Sequence, residues 1–170
     1  MAAWGLVQQK TSALTSQNPA TTFDAATAAD NFIAVLVAIA SRTVSVSSVT
    51  DSKGNTYTLA KRQVGAGTDA IATEIWYAYN IVAGASHVVT VNFSASVASQ
   101  INISEWSGAF RFQDPLLAVN GNAASSEASP YNFTFGTVVP SQSGALILSV
   151  TRQTTNFSVD GRATGYAALT

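Results

Sequence analysis

The sequence predicts an all-β protein, an antiparallel sandwich of two sheets that resembles a jelly roll. Stretches of alternating apolar and polar residues recur about every ten residues, and turn-forming Gly, Asn and Asp residues separate them. No segment of about ten or more residues has a convincing helical pattern. The 170 residues fit one domain, spanning 1–170, in which 1–31 form an N-terminal strand or arm and a loop.

The N-terminal third of the chain predicts one irregular strand, one turn and one buried strand. Residues 4–14 have the strand pattern, and the small residues of 24–31 are compatible with a helical turn. Residues 32–40 are apolar at successive positions and rich in β-branched side chains, which is typical of a central strand covered on both faces.

The middle of the chain predicts a hairpin followed by two long strands. Residues 44–61 read as two strands joined at 51–55, where Asp and Asn can bond their own backbone and Gly54 can adopt positive φ. Residues 71–81 and 86–94 alternate with a period of two, as half-buried strands do. Further strands are predicted at 101–107, 131–135 and 145–150, with a small-residue loop at 121–130.

Four segments resemble a broad group of bacterial and phage β-sandwich modules, which occur in virion structural proteins and in bacterial surface proteins. The segments are VTDSKGNTYTL at 49–59, IWYAYN at 75–80, HVVTVNFS at 87–94 and SEWSG at 104–108. The resemblance covers roughly 32–150 and implies the sandwich fold. It supplies no catalytic residue. Modules of the group usually continue through further strands, so we expect a sheet of this chain to be incomplete and its open edge to accept a strand from a neighbour.

Composition and charge narrow the range of partners. Charged residues make up 10% of the chain, against roughly 25% in ordinary soluble domains, and small neutral residues replace them. The net charge of −1 and the scattered basic residues argue against nucleic acid as a partner. The longest apolar run, 32–40, is well short of the ~20 residues of a membrane-spanning helix. The N-terminus has no basic start or long apolar run, which predicts a protein made in the cytoplasm and not exported.

The residues capable of catalysis or metal binding favour a structural interpretation. His87 is the one histidine, and we expect it to be a buried structural residue rather than part of a Ser-His-Asp triad. Glu74 and Glu105 could form the acid–base pair of a glycosidase, but burial with hydrogen-bond partners is the preferred interpretation of Glu105. We therefore predict no enzyme, no cofactor and no metal site; with no cysteine present, a zinc site is rejected.

The turn that contains Asp51 and Asn55 has a weak similarity to a calcium loop. Six to eight oxygen ligands are needed for such a site, and Lys53 places a cation in its middle. We interpret these residues as a turn.

Apolar and aromatic side chains are the candidates for contact with a partner. Trp76 and Trp106 lie on the strand faces opposite to the isoleucines of their own strands, so they mark a contact surface if those faces are exposed. The N-terminal arm adds two more candidates. The candidate interface or ligand contacts are Trp4, Leu6, Trp76 and Trp106.

These observations favour a structural protein of a phage particle, specifically a capsid decoration or cement protein. Its partners would be other copies of itself and a major capsid or other virion protein, joined by neutral packing surfaces and by strand addition from the N-terminal arm. It would be made in the host cytoplasm and located in the virion. The alternative is a carbohydrate-binding or adhesive module of an extracellular bacterial surface protein, in which Trp76, Trp106 or the tyrosines line a groove for glycan.

Overall fold

The computed structural model describes residues 4–13, 18–66, 70–108, 114–121, 137, 139, 141 and 145–150. The described residues form eight antiparallel strands in two sheets and no helix. The strands are β1 (Gly5–Thr11), β2 (Ala20–Thr22), β3 (Phe32–Ile39), β4 (Val46–Asp51), β5 (Thr58–Val64), β6 (Ala72–Tyr79), β7 (Val88–Phe93) and β8 (Ser99–Ser107). The predicted all-β sandwich is therefore confirmed.

The strand pairs are nested, because strands from the beginning of the described chain pair with strands from its end. One sheet has the order β1-β8-β3-β6-β5 and the other β2-β7-β4. The first strand thus pairs with the last, the second with the seventh, and the third with the sixth. Nested pairing of this kind brings distant parts of the sequence together, as in a jelly roll.

The core lies between the two sheets and is built from alternate residues of each strand. On β3 the inward residues are Ile33, Val35, Val37 and Ile39, which pack with Val89 and Val91 of the smaller sheet. All eight residues of β3 are buried. β3 is also the middle strand of the larger sheet, so the predicted central strand is confirmed. Each of its fully buried Val and Ile side chains contributes roughly 1.5–3 kcal/mol of hydrophobic stabilisation.

The outer face of the five-stranded sheet is also apolar and is covered by the chain itself. Ala34, Leu36 and Tyr77 are buried on this face. Residues 145–150, which were predicted to be a strand, form no strand pairing with any other described residue; instead Leu146 and Leu148 pack over this face. The prediction of a strand at 145–150 is therefore wrong, whereas the predicted strand at 131–135 lies outside the described residues.

The predicted hairpin at 44–61 is also wrong. β4 pairs with β7 in the smaller sheet, and β5 pairs with β6 in the larger one. Asp51 ends β4 and accepts hydrogen bonds from the backbone N–H groups of Lys53 and Asn55, so the turn itself forms. It carries the chain from one sheet to the other instead of folding it back on the same sheet.

The helical turn predicted at 24–31 does not form. The backbone N–H of Thr27 donates to the carbonyl of Gly84, and that of Ala28 donates to the carboxylate of Glu105. Both groups therefore bond to distant residues rather than to a carbonyl one turn back. The described part of the chain contains no helix long and apolar enough to cross a membrane.

Candidate functional site

Glu105 lies in β8, at the inward position that is in register with Ile33 of β3. Its side chain is fully buried and accepts three hydrogen bonds. Gln8 Nε2 donates to one carboxylate oxygen at 2.6 Å, and Asn31 Nδ2 and the backbone N–H of Ala28 donate to the other, both at 2.7 Å. These bonds confirm the expected burial of Glu105 with hydrogen-bond partners. They join β8 to β1 and to the segment before β3.

Glu74 lies on β6, also on the inward face, in register with Val37. Its carboxylate forms an ion pair with Arg62 of β5 and accepts hydrogen bonds from Trp76 Nε1 at 2.8 Å and from the backbone N–H of Val46 at 3.2 Å. Val46 belongs to the other sheet, so Glu74 bonds the two sheets together. Arg62 in turn donates to the carbonyls of residues 42 and 44.

The two glutamates do not form the pair that a glycosidase requires. Their register partners on β3, Ile33 and Val37, are four positions apart, and β3 separates their strands. Strand geometry then places the two backbone positions about 16 Å apart, whereas glycosidase carboxylates are separated by roughly 5–9.5 Å. The oxygens of each carboxylate also accept hydrogen bonds from donors of the same chain.

His87 immediately precedes β7 and is fully buried. Its Nε2 lies 2.8 Å from Asp51 Oδ2, and its Nδ1 lies 2.8 Å from Thr27 Oγ1. The ring of Phe23 packs edge-on against the imidazole. Thr27, His87 and Asp51 have the residue types of a catalytic triad, but Thr27 is only 5% exposed and its hydroxyl also accepts a hydrogen bond from the Gly84 N–H. A substrate has no access to this hydroxyl, so the arrangement is structural.

Asp51 collects five hydrogen bonds at the end of β4. Besides His87 and the two backbone N–H groups of the turn, Asn55 Nδ2 donates at 2.8 Å and Tyr57 Oη at 2.9 Å. Burial alone would raise the pKa of Asp51, but the hydrogen bonds from Asn55, His87 and the turn outweigh it, so its pKa lies below the ordinary value. Burial raises the pKa of Tyr57, and the nearby Asp51 carboxylate raises it further.

These bonds bear on the weak similarity of this turn to a calcium loop. The oxygens of Asp51 are occupied by N–H and O–H donors of the chain itself. Within the described ranges, no group of three or more His, Asp or Glu side chains is arranged to hold a metal ion. The turn interpretation of residues 51–55 is therefore the one that the contacts support.

The structure places Trp76 and Trp106 on opposite faces of the five-stranded sheet. Trp76 is in register with Val35 and packs into the core between the sheets. Trp106 is in register with Phe32 on the outer face, is 6% exposed, and donates from Nε1 to Ser104 Oγ at 2.9 Å. The two rings cannot share one contact surface.

Trp4 immediately precedes β1, and Leu6 is the second residue of that strand. The ring of Trp4 packs edge-on against Phe32, with ring centroids 5.4 Å apart. Leu6 is in register with Trp106 and is 48% exposed, and Val7 beside it is 49% exposed. Successive residues of a strand normally point to opposite faces, but a shift in register between Leu6 and Gln8 makes Val7 a bulge. We call the three residues Trp4, Leu6 and Val7 the β1 patch.

Sequence reasoning missed several participants in these sites, Gln8 and Thr27 among them. Gln8 and Thr27 are polar residues without a local signal, and their importance comes from partners about 97 and 60 positions away. Only knowledge of the pairing between β1 and β8, and between the segment before β3 and that before β7, identifies them.

Comparison of the chain with protein-family models, with curated proteins and with solved structures found no match. The function of the chain is therefore inferred from its own structure.

Proposed function

We propose that this protein is a non-enzymatic structural component of a bacteriophage particle, a capsid decoration protein that contacts copies of itself and a capsid protein through the β1 patch. The observation that carries the proposal is the exposure of Leu6 and Val7, two adjacent apolar side chains on an edge strand. Apolar surface of this kind on a protein with few charges is typical of a contact region.

The buried polar groups support a structural role. Glu105, Glu74 and Asp51 each bind donors from other strands or loops of the same chain. Such bonds make a rigid body, which is what a protein that binds repeatedly to a particle surface requires. The resemblance to phage sandwich modules and the low charge agree with the same role.

The carbohydrate-binding alternative, which rested on Trp76, Trp106 or the tyrosines, gains no support from the two tryptophans. A sugar platform needs aromatic rings that share an exposed face. Trp76 points between the sheets, and Trp106 is buried on the other face. We therefore develop the particle proposal.

A pair of matched variants tests the β1 patch. Leu6→Ser combined with Val7→Ser removes the exposed apolar surface, and we expect binding to particles and self-association to weaken by more than about tenfold. The measurements are the solution mass by light scattering over a range of concentrations, and the amount of chain bound per particle in co-sedimentation.

Leu59→Ser is the control for this experiment. Leu59 is 42% exposed and adjoins a register shift on β5, the opposite edge strand of the same sheet. Its substitution removes one exposed apolar side chain at a different place, so the variant should bind like the unmodified chain. Equal binding by the β1 patch variant and the Leu59→Ser variant, at equal melting temperature, would contradict the proposal.

A further inference from the structure

β1 is an edge strand of the five-stranded sheet, in which it pairs with β8 alone among the described strands. Its backbone pairs from Gly5↔Ser107 to Thr11↔Asn102, and it has no second neighbour among the described strands. The next strand, β2, belongs to the other sheet. Within its sheet β1 is thus attached along one edge, and Ser12 after it still bonds to Ile101 at that edge. Outside the sheet, Lys10 and Gln8 of β1 also bond to residues 24 and 25.

Glu105 makes the β8 edge selective for the strand that occupies it. Gln8 from β1 supplies one of the three donors to this fully buried carboxylate. The Gln8 side-chain amide also forms two hydrogen bonds with the backbone of Ala25. Its Nε2 donates to the Ala25 carbonyl at 3.3 Å, and its Oε1 accepts from the Ala25 N–H at 3.1 Å. An unoccupied edge would leave a buried carboxylate short of a donor. The edge therefore favours a strand that carries a donor such as glutamine at this position.

The free edges of the two described sheets are poorly suited to the addition of a strand from another chain. β1, β4 and β5 are edge strands of the described sheets, and each contains a register shift, at Val7, Ser47 and Ala60 respectively. The fourth edge strand, β2, has only three residues. Bulges and short strands interrupt the regular row of N–H and C=O groups that an added strand needs. Contact between chains through strand pairing is thus disfavoured at these edges.

We propose that copies of this chain associate by exchanging β1, so that β1 of one copy occupies the β8 edge of another and its Gln8 binds the other copy's Glu105. Exchange reproduces every pairing of the single chain and needs no new open edge, which makes it a route to assembly at low energetic cost. The inference rests on the proposed function and names the partner in its assembly contact. Exchange of β1 would also place the β1 patch of each copy on the neighbouring copy.

Cysteine cross-linking between two full-length variants tests this exchange. The chain contains no cysteine, so the introduced thiols are the reactive ones. A Cβ added at Gly5 would lie 3.0 Å from Ser107 Oγ, which brings cysteines at these two positions within the reach of a disulfide. Gly5→Cys chains and Ser107→Cys chains are mixed in equal amounts at high concentration, incubated, oxidised and separated without reductant.

The expected product is a disulfide between a Gly5→Cys chain and a Ser107→Cys chain, identified by mass spectrometry of the linked peptides. A second mixture, Gln63→Cys with Thr73→Cys, is the control, because these half-buried residues are in register between β5 and β6 in the middle of the chain. A double variant with both Gly5→Cys and Ser107→Cys, oxidised at a dilution at which the chains are monomeric, should form the disulfide within one chain, which verifies that the substitutions preserve the pairing.

Three outcomes are informative. Cross-linked pairs at least about tenfold above the control mixture support exchange. A chain that is oligomeric by light scattering but gives no more cross-linking than the control overturns exchange and leaves the particle proposal standing. A chain that remains monomeric and unlinked at every concentration overturns exchange and contradicts the self-association in the proposed function.

A competition experiment tests the role of Gln8. Ser107→Cys chains are offered Gly5→Cys chains with and without Gln8→Ala, and the two linked products are distinguished by mass. Because the substitution removes a hydrogen bond to a buried carboxylate, we expect the strand that retains Gln8 to be captured about tenfold more than the strand with Gln8→Ala. Equal capture would overturn the selection by Glu105.

Discussion

Glu105 illustrates how a buried carboxylate can be held without a basic side chain among its hydrogen-bond partners. Three N–H donors from β1 and the segment before β3 surround it, whereas Glu74 has Arg62 as an ion-pair partner. The period of two along 101–107 places Glu105 on the inward face, and this much is predictable from the sequence. The donors are not predictable, because they come from residues 74 to 97 positions away.

Replacing Glu105 tests the bond to Gln8. In Glu105→Gln one terminal group becomes an amide N–H₂, which cannot accept from Gln8 Nε2, so we expect a loss of about 1–3 kcal/mol in the free energy of unfolding. Urea denaturation of Glu105→Gln, Gln8→Ala and the double variant measures the coupling between the two residues, expected at about 1–2 kcal/mol. Strictly additive losses would show that the two side chains act independently.

The turn between β4 and β5 is the element in which sequence and structure differ most. Its chemistry is local: Asp51 accepts from the N–H groups that follow it, and Gly54 has φ of +78°. These features predict a turn. They do not predict whether the two strands it joins lie in one sheet or two, because the same turn residues serve both cases.

Gly54 offers a test of the turn alone. A Cβ at this position would have no atom within 4 Å, so the cost of Gly54→Ala is that of the left-handed backbone, about 1 kcal/mol of unfolding free energy. Gly54→Asn should lose less, since Asn tolerates this conformation. Urea denaturation of both variants provides the comparison, and an Ala variant as stable as the unmodified chain would contradict the role assigned to Gly54.

At the scale of the whole molecule, buried carboxylates hold the sandwich together at both ends of its core. Glu74 bonds the two sheets at one end through Val46. Asp51 joins the smaller sheet to Tyr57 at the entrance to β5, and His87 links it to Thr27 in the connection between the sheets. Unfolding either end exposes polar groups whose partners belong to distant parts of the chain.

The lowered pKa of Asp51 predicts how this arrangement responds to acid. Its folded pKa is below the unfolded value, near 3.8, so its contribution to stability is complete above that pH and disappears as the pH falls through the folded pKa. We expect Asp51→Asn to be less stable than the unmodified chain by about 1–3 kcal/mol at pH 7, with the difference narrowing below about pH 4. Unfolding free energies measured from pH 7 to pH 2 test this, and a constant difference would exclude the titration of Asp51 as the cause.

The sequence by itself determined most of the segments that form strands and, for β3 and β8, the burial of their residues. The pattern of apolar residues along a strand is a local property. The unbroken apolar run identified β3 as a central strand, and the period of two along β8 placed Glu105 on the same face as Ile101 and Ile103. Tertiary structure alone decided the pairing of β1 with β8, the separation of β4 from β5, and the opposite placement of Trp76 and Trp106. The physical reason is that alternation records only that one face of a strand is buried. The strand that covers or pairs with that face is selected by packing and hydrogen bonding between residues far apart in the chain.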